Sequence, residues 1–257
     1  MCLFSQRRNH DSGRIFPRPS RSGHRFSGGV DSAYLLYAAT RYAKRVHAYT
    51  VHSQFQPRFE LDDARRLAAE LGAALSVLPL DVLAMPGAAE NGPDRCYHCK
   101  QAVLTTIRDA AVADGFTLLC DGTNASDAVA DRPGMRALRE LAVRSPLREC
   151  GLTKDTIRAL SRDAGLFTWD KPAYACLATR TPSGEPLTAA ALAATEQAEA
   201  ALAALGFRDF RVRQSRGQAR IQVPESQLAR VLEQRNEILA ALRPFYETIS
   251  LDLEVRP

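Results

Sequence analysis

Cysteine, tryptophan and methionine are scarce, with six, one and three among 257 residues. Six scattered cysteines are too few to cross-link a chain of this length as a disulfide scaffold, so they read as thiols, metal ligands or core residues in a reducing compartment. No apolar run approaches the roughly 20 residues that cross a bilayer, which excludes a helical membrane span. The opening Met1-Cys2-Leu3-Phe4-Ser5-Gln6-Arg7-Arg8 lacks the apolar core of a secretory signal, so a cytoplasmic location is expected. Acids are almost missing from the first 26 positions, where Asp11 alone faces Arg7, Arg8, Arg14, Arg18, Arg21 and Arg25. That segment accounts for the whole formal charge of +5, and the rest of the chain is neutral. A neutral body argues against a nucleic-acid partner, and the Pro- and Ser-rich segment 1–26 reads as a basic tail, disordered or misassigned.

The most informative residues are Ser27-Gly28-Gly29-Val30-Asp31-Ser32, a turn leading straight into the apolar-periodic Ala33-Tyr34-Leu35-Leu36-Tyr37. The two glycines let backbone approach phosphate oxygens, and the amides that open the following helix point at the anion. Ser27 and Ser32 can donate to phosphate. Asp31, an acid beside an anion, makes sense with Mg²⁺ between the two. The Lys-Ser/Thr pair of a P-loop is missing, so this cradle is of another kind.

From residue 30 the pattern alternates. Helical periods cover Val30 to Lys44, Phe59 to Leu71, Cys99 to Ala113 and, after a Thr153 cap, the residues to Ala164; strand periods cover Val46 to Val51, Ala74 to Leu80 and Phe116 to Cys120. Strands alternating with helices predict an α/β fold with a doubly wound parallel sheet and a ligand at the carboxyl ends of its strands. An ATP-binding domain is thus expected over 27–185. Residues 186–257 predict a small α+β domain: an Ala-rich helix from Thr188 to Leu205, a hairpin around Ser215-Arg216-Gly217, a helix from Glu225 to Leu242 and a last strand from Ile249 to Val255. An exposed apolar face on the Ala-rich helix would serve a homo-oligomer.

Further clusters carry candidate chemistry. Asp121-Gly122-Thr123-Asn124-Ala125-Ser126-Asp127 follows a buried strand, so its acids could hold Mg²⁺ and Asn124 a base or ribose; an Asx-turn is the equal alternative. Asp131-Arg132-Pro133-Gly134-Met135-Arg136 could clamp a phosphate or form a solvated face. Cys96 and Cys99 are spaced to share one metal, but no second pair completes a zinc site. Cys176 lies among small residues, flanked by Lys171 and Arg180, whose charges would favour a thiolate nucleophile; core packing is the alternative.

These motifs, with Trp169-Asp170-Lys171-Pro172, Ala175-Cys176-Leu177 and Arg211-Val212-Arg213, resemble the PP-loop ATP pyrophosphatases from Phe26 to about Val223. Within them they resemble the LarE-type ATP-dependent sulfur transferases, which help build the nickel-pincer nucleotide cofactor of lactate racemase. The loop specifies only the superfamily; the Trp-Asp-Lys-Pro and Ala-Cys-Leu segment and the arginine hairpin specify the LarE type. The resemblance implies an adenine nucleotide alpha hydrolase-like fold, with ATP held by Ser27, Gly28, Gly29, Asp31, Ser32, Gly122 and Asn124. ATP would adenylate a carboxylate of a pyridinium biscarboxylate mononucleotide, forming AMP and pyrophosphate, and the small-molecule product would be a thiocarboxylate. Cys176 would attack the acyl adenylate and surrender its own sulfur, leaving dehydroalanine. A second route would use a [4Fe–4S] cluster on Cys96, Cys99 and Cys176. Arg211 and Arg213, alternating on one strand, would face one side and bind the substrate phosphate.

Two features depart from the family pattern. Arg18-Pro19-Ser20-Arg21-Ser22-Gly23-His24-Arg25-Phe26 stands where relatives carry an apolar strand, and reads as unable to form a central buried one. Gln222 stands where a glutamate is usual, and a neutral amide would weaken any metal held there. A tRNA sulfurtransferase and a non-catalytic nucleotide-binding protein are the rival functions.

Overall fold

The computed structural model describes residues 21–127 and 133–256. Residues 1–20 of the expected tail, and Asp131 and Arg132 of the expected arginine loop, lie outside the described residues. Contacts divide the chain into two compact units: residues up to 52 with 58–80 and 99–171, and residues 53–57 with 81–98 and 172–257.

The first unit contains β1 (Arg21–Arg25), α1 (Val30–Tyr42), β2 (Arg45–His52), α2 (Arg58–Glu70), β3 (Leu75–Pro79), most of α3 (Arg95–Ala113), β4 (Leu118–Cys120), α4 (Pro133–Glu140), α5 (Pro146–Glu149) and α6 (Lys154–Asp163). Its four strands are parallel in the order β3-β2-β1-β4. One apolar core gathers Phe26, Leu35, Leu36, Leu67, Leu147 and Ile157; another gathers Tyr49, Val51, Ile107, Phe116 and Leu119. The strand order steps outward from β1 and then returns past it to β4. That reversal makes the carboxyl ends of β1 and β4 the ligand crevice of an open α/β sheet.

The first strand corrects the expectation from sequence. Arg21–Arg25 is the second strand from the β4 edge, paired with β2 and β4, and Ser22, Gly23 and His24 are buried. Within this polar strand Ser22 Oγ lies 2.9 Å from His24 Nε2, and Gly23 makes room for the Tyr49 ring and Ala111. The strand's arginines occupy its two ends. Burial pushes the His24 pKa from 6.5 to about 3, so the imidazole is neutral in the fold. Below 6.5 the unfolded chain binds a proton that the folded chain refuses, and stability contributed above that value is lost as pH falls towards 3. Between about pH 7 and about pH 5 this group should cost the parent about 2 kcal/mol, a loss absent from His24→Gln in paired denaturation curves.

The second unit contains α7 (Ala189–Ala204), β5 (Arg211–Ser215), β6 (Gln218–Gln222), α8 (Leu228–Glu233), α9 (Arg235–Leu242) and β7 (Thr248–Leu251). β5 and β6 form the predicted antiparallel hairpin, and its turn residues Arg216 and Gly217 both have positive φ, 48° and 76°, as a two-residue turn matched to strand twist requires. β7 joins β6 in parallel. The helix predicted over Glu225 to Leu242 is instead a 3₁₀ turn followed by α8 and α9, broken at Gln234. Leu202, Phe207, Val212, Ile221, Ile238 and Leu242 form the core of this unit. The last change of unit along the chain is at Lys171/Pro172, and the segment after Pro172 is hydrogen-bonded to arginines of β5. No helix among the described residues is long and apolar enough to cross a membrane.

Candidate active site

The phosphate loop leaves the carboxyl end of β1 with different tasks for its glycines. Gly28 has φ +71°, and a Cβ there would lie 2.7 Å from the Glu60 carbonyl oxygen of α2, so this position serves close packing of the loop. Gly29 meets nothing nearer than Ser27 Oγ at 3.6 Å, which leaves room for a ligand. It is also the N-cap of α1, and no side chain caps the helix. The first-turn amides are therefore oriented for an anion. Ser27 and Ser32 hydroxyls stand 3.1 Å apart, and Ser32 donates to the Gly29 carbonyl at 3.1 Å.

Asp31 accepts from Lys154 Nζ through Oδ2 at 2.7 Å, while its buried Oδ1 has no hydrogen-bond partner among the described residues. An orphaned carboxylate oxygen facing a phosphate cradle suits a hydrated Mg²⁺. Gly122 closes the crevice from the β4 side: a Cβ there would come within 2.8 Å of the Ser32 nitrogen, so only glycine permits this approach. Around it the acids hold the loop. Asp121 accepts from Thr123 N at 3.2 Å, Thr123 Oγ1 at 2.7 Å and Ser145 Oγ at 2.7 Å. Asn124 Oδ1 accepts from the Ser126 amide at 2.8 Å, and the Asn124 amide donates to Asp127 at 2.9 Å. This is the Asx-turn alternative for the cluster.

Lys171 reads in sequence as a charge beside Cys176. Its ammonium instead lies 2.6 Å from Asp63 Oδ2 of α2 and 3.3 Å from the carbonyl oxygen of Gly28. The charges acting on Cys176 come from its own unit. Arg211 donates to Ala173 O at 2.6 Å, Arg180 to Ala175 O at 2.8 Å, Arg95 to Ala178 O at 3.0 Å and Arg213 to Thr179 O at 3.0 Å. Arg180 is fully buried on the carboxylate of Glu199, at 2.8 and 3.1 Å, where Tyr174 and the Val212 amide also donate. A buried pair with its lone pairs filled in this way is a rigid anchor, and removal of one partner strands a charge. The segment carrying Cys176 is thus suspended from arginines by its own backbone.

The thiol itself departs from expectation. Burial pushes the Cys176 pKa above the usual thiol value, opposed by the guanidinium of Arg95, reinforced by the nearby Cys96 thiol and opposed again by Arg180. Desolvation outweighs the arginines. Arg95 also donates to the exposed Cys96 sulfur at 3.5 Å. Cys99 follows one turn later on α3. Among the described residues no three His, Cys, Asp or Glu side chains gather as a metal group.

Arg211 and Arg213 reach one segment, as alternation on a strand requires, but they differ in surroundings. Arg211 is buried, with guanidinium donors on the Phe210 and Ala173 carbonyls, and burial with neighbouring cations lowers its pKa to about 10. Arg213 lines a cleft of about 560 Å³ with Arg220, Ser183, Ser215 and Ser250. Burial, then the charges of Arg180, Arg220 and Arg256, depress its pKa, the signature of an excess of cations that an anion would relieve. Gln222 accepts from Arg213 at 3.3 Å and donates to Asp252 at 3.4 Å. A glutamate could not make the second bond.

Residues 21–111, which hold β1, the loop and the elements up to most of α3, match the asparagine synthase family. Over 231 residues, 89% of this chain and 84% of the relative, the sequence is 34% identical to the pyridinium-3,5-bisthiocarboxylic acid mononucleotide synthase of Lactiplantibacillus plantarum. The chain belongs to the LarE-type sulfurtransferases of the PP-loop ATP pyrophosphatase family. An uncharacterized protein of Synechocystis is 35% identical over 89% of this chain and 87% of its own length. An uncharacterized protein of Methanocaldococcus jannaschii is 24% identical over 90% and 88%. For a LarE-type chain the loop geometry and the use of ATP agree.

Lys154, Asp63 and Glu199 do not stand out in the sequence as site residues. Only Glu199 carried a signal: with Leu192, Thr195 and Leu202 it falls on the buried stripe of α7, where a lone charge demands a partner.

Proposed function

We propose that this chain converts a carboxylate of a pyridinium biscarboxylate mononucleotide into a thiocarboxylate, using ATP for activation and Cys176 for sulfur transfer. The observation that carries this reading is the uncapped loop at the switch point of the first unit; the second unit, by itself, holds a cysteine whose flanking carbonyls accept from arginines. In the first step a substrate carboxylate oxygen attacks the α-phosphorus, and the electron pair of the breaking P–O bond leaves on pyrophosphate. The loop amides, Ser27 and Ser32 take the departing phosphates, and Asn124 meets the nucleoside. Asp31 would hold Mg²⁺, which supplies charge neutralisation on the leaving group.

In the second step Cys176 Sγ, having given up its proton, attacks the acyl carbon and the C–O bond to AMP breaks. Arg213 in the cationic cleft takes the substrate phosphate. Arg211, whose donors hold the Cys176 segment, adds charge behind it. A base then takes the Cys176 Cα proton, a carbon–carbon double bond forms as the Cβ–Sγ bond breaks with its electron pair on sulfur, and the thiocarboxylate leaves dehydroalanine at position 176. The tRNA alternative is disfavoured by the neutral body, and the non-catalytic one loses its motive once β1 is formed. With ATP, Mg²⁺ and the biscarboxylate nucleotide, pyrophosphate and AMP should appear in equal amounts beside a product heavier by the exchange of oxygen for sulfur. Release of ADP and phosphate, or AMP formation that does not depend on the nucleotide substrate, would refute the reading.

A further inference from the structure

We propose that Arg220 of β6 closes with Arg213 of β5 on the phosphate of the substrate, a two-guanidinium clamp that selects a phosphomonoester dianion over a nucleoside or a phosphodiester. The identity of the substrate rests on the function proposed above, and the clamp on the register of the second sheet.

Antiparallel pairing sets Arg213 directly opposite Arg220, and parallel pairing sets Ser250 of β7 beside Arg220. Side chains alternate across a sheet, and the intervening Val212, Ala219 and Ile221 are buried in the core, so the two arginines and the serine share the other face. All three line one cleft of about 560 Å³.

Like charges directly opposite on a sheet repel, and the pair costs stability until an anion lies between them. Among the described residues no acid lines the cleft. Arg180, its third guanidinium, is already neutralised by Glu199. Arg220 Nε lies 3.3 Å from Asp252 Oδ2, an acid outside the cleft lining, and the arginine side chain is still 57% exposed. Arg213 donates from Nε to Gln222 and from Nη1 to Thr179 O, which leaves its Nη2 donors for a ligand. Burial first, then the charges of Arg180 and Arg220, depress the Arg213 pKa, so the repulsion is felt at this jaw of the clamp.

A phosphomonoester suits the pair. Near neutral pH it carries close to two negative charges on three terminal oxygens, enough for a paired contact with one guanidinium and a further contact with the other. A diester has one charge and one terminal oxygen fewer, and a carboxylate fills a single guanidinium fork.

Calorimetric titration of the full chain without ATP reads the clamp, with four probes: the biscarboxylate mononucleotide, the matching riboside, the dinucleotide in which that phosphate is a diester, and ribose 5-phosphate. The parent should bind the mononucleotide by about tenfold or more over the riboside and the dinucleotide. Arg220→Gln should weaken the mononucleotide and ribose 5-phosphate about tenfold and leave the riboside within about twofold, the loss expected for one charge-assisted contact. Arg220→Lys keeps the charge without the fork and should fall between, and it replaces the glutamine variant if that one does not fold. Asp252→Asn removes the competing acid and should bind the mononucleotide at least as tightly as the parent. An unchanged mononucleotide affinity in the Arg220 variants, equal losses for mononucleotide and riboside, or an Asp252→Asn variant as weak as Arg220→Gln would each overturn the proposal. The last would reduce Arg220 to an ion-pair partner of Asp252. Ribose 5-phosphate keeps the two readings apart: a parent that binds it through Arg220 but releases no pyrophosphate with ATP and the biscarboxylate nucleotide defeats the proposed function and leaves the clamp.

Discussion

Cys176→Ala should lower thiocarboxylate formation by a factor on the order of 10⁴ or more, because it removes the proposed nucleophile from the segment whose carbonyls accept from Arg180 and Arg95. Pyrophosphate release should persist, since in the proposed sequence adenylation comes first and uses the loop of the first unit. The parent protein also reports its sulfur source. A sacrificial cysteine loses hydrogen sulfide as it becomes dehydroalanine, roughly 34 Da, and the enzyme stops after one turnover. A cluster enzyme would keep Cys176 intact, absorb broadly in the visible and turn over with added sulfide.

Cys96, close enough to Cys176 to raise its pKa, is the observation that keeps the second route open. Replacing Cys96 and Cys99 by serine decides between them. Retained thiocarboxylate synthesis in the double variant makes Cys176 the donor, and lost colour and activity make it a cluster ligand. Full activity of Cys176→Ala would exclude both.

Asp31→Ala should reduce pyrophosphate release on the order of 10³-fold, the effect of several kcal/mol withdrawn from charge stabilisation on the leaving group. The ion pair with Lys154 supplies the control. Were the carboxylate only a partner for that lysine, Lys154→Met would reproduce the loss. If Asp31 holds Mg²⁺ through the oxygen that has no protein partner, Lys154→Met should keep most of the activity and Asp31→Asn should not. Parent-like pyrophosphate release by Asp31→Ala would remove the loop from the mechanism.

The local sequence determined much of this protein. A Ser-Gly-Gly-Val-Asp-Ser turn followed by apolar helical spacing is enough to specify an anion cradle, because both the backbone freedom and the free amides are properties of neighbouring residues. Alternation between helical and strand periods specified the parallel sheet, and Arg216-Gly217 between alternating runs specified the hairpin. Thr153 and Thr188 were readable as caps, and their hydroxyls accept from Thr156 and Ala191 in the fold.

Other features exist only through contacts between distant residues. Ser22-Gly23-His24 reads as too polar for a central strand, yet it pairs with β2 and β4, with Ser22 against His24 and the Tyr49 ring beside Gly23. Lys171 stands five residues from Cys176 in the chain, but Arg158, Asp63 and Gly28 direct it to the phosphate loop. Arg180 and Arg211 advertised a ligand site, whereas much of their bonding capacity goes to backbone carbonyls and to a glutamate from α7. A charged side chain announces its charge in the sequence. Which of several opposite charges or carbonyls it meets depends on strand order and crossovers, which bring together segments more than a hundred residues apart.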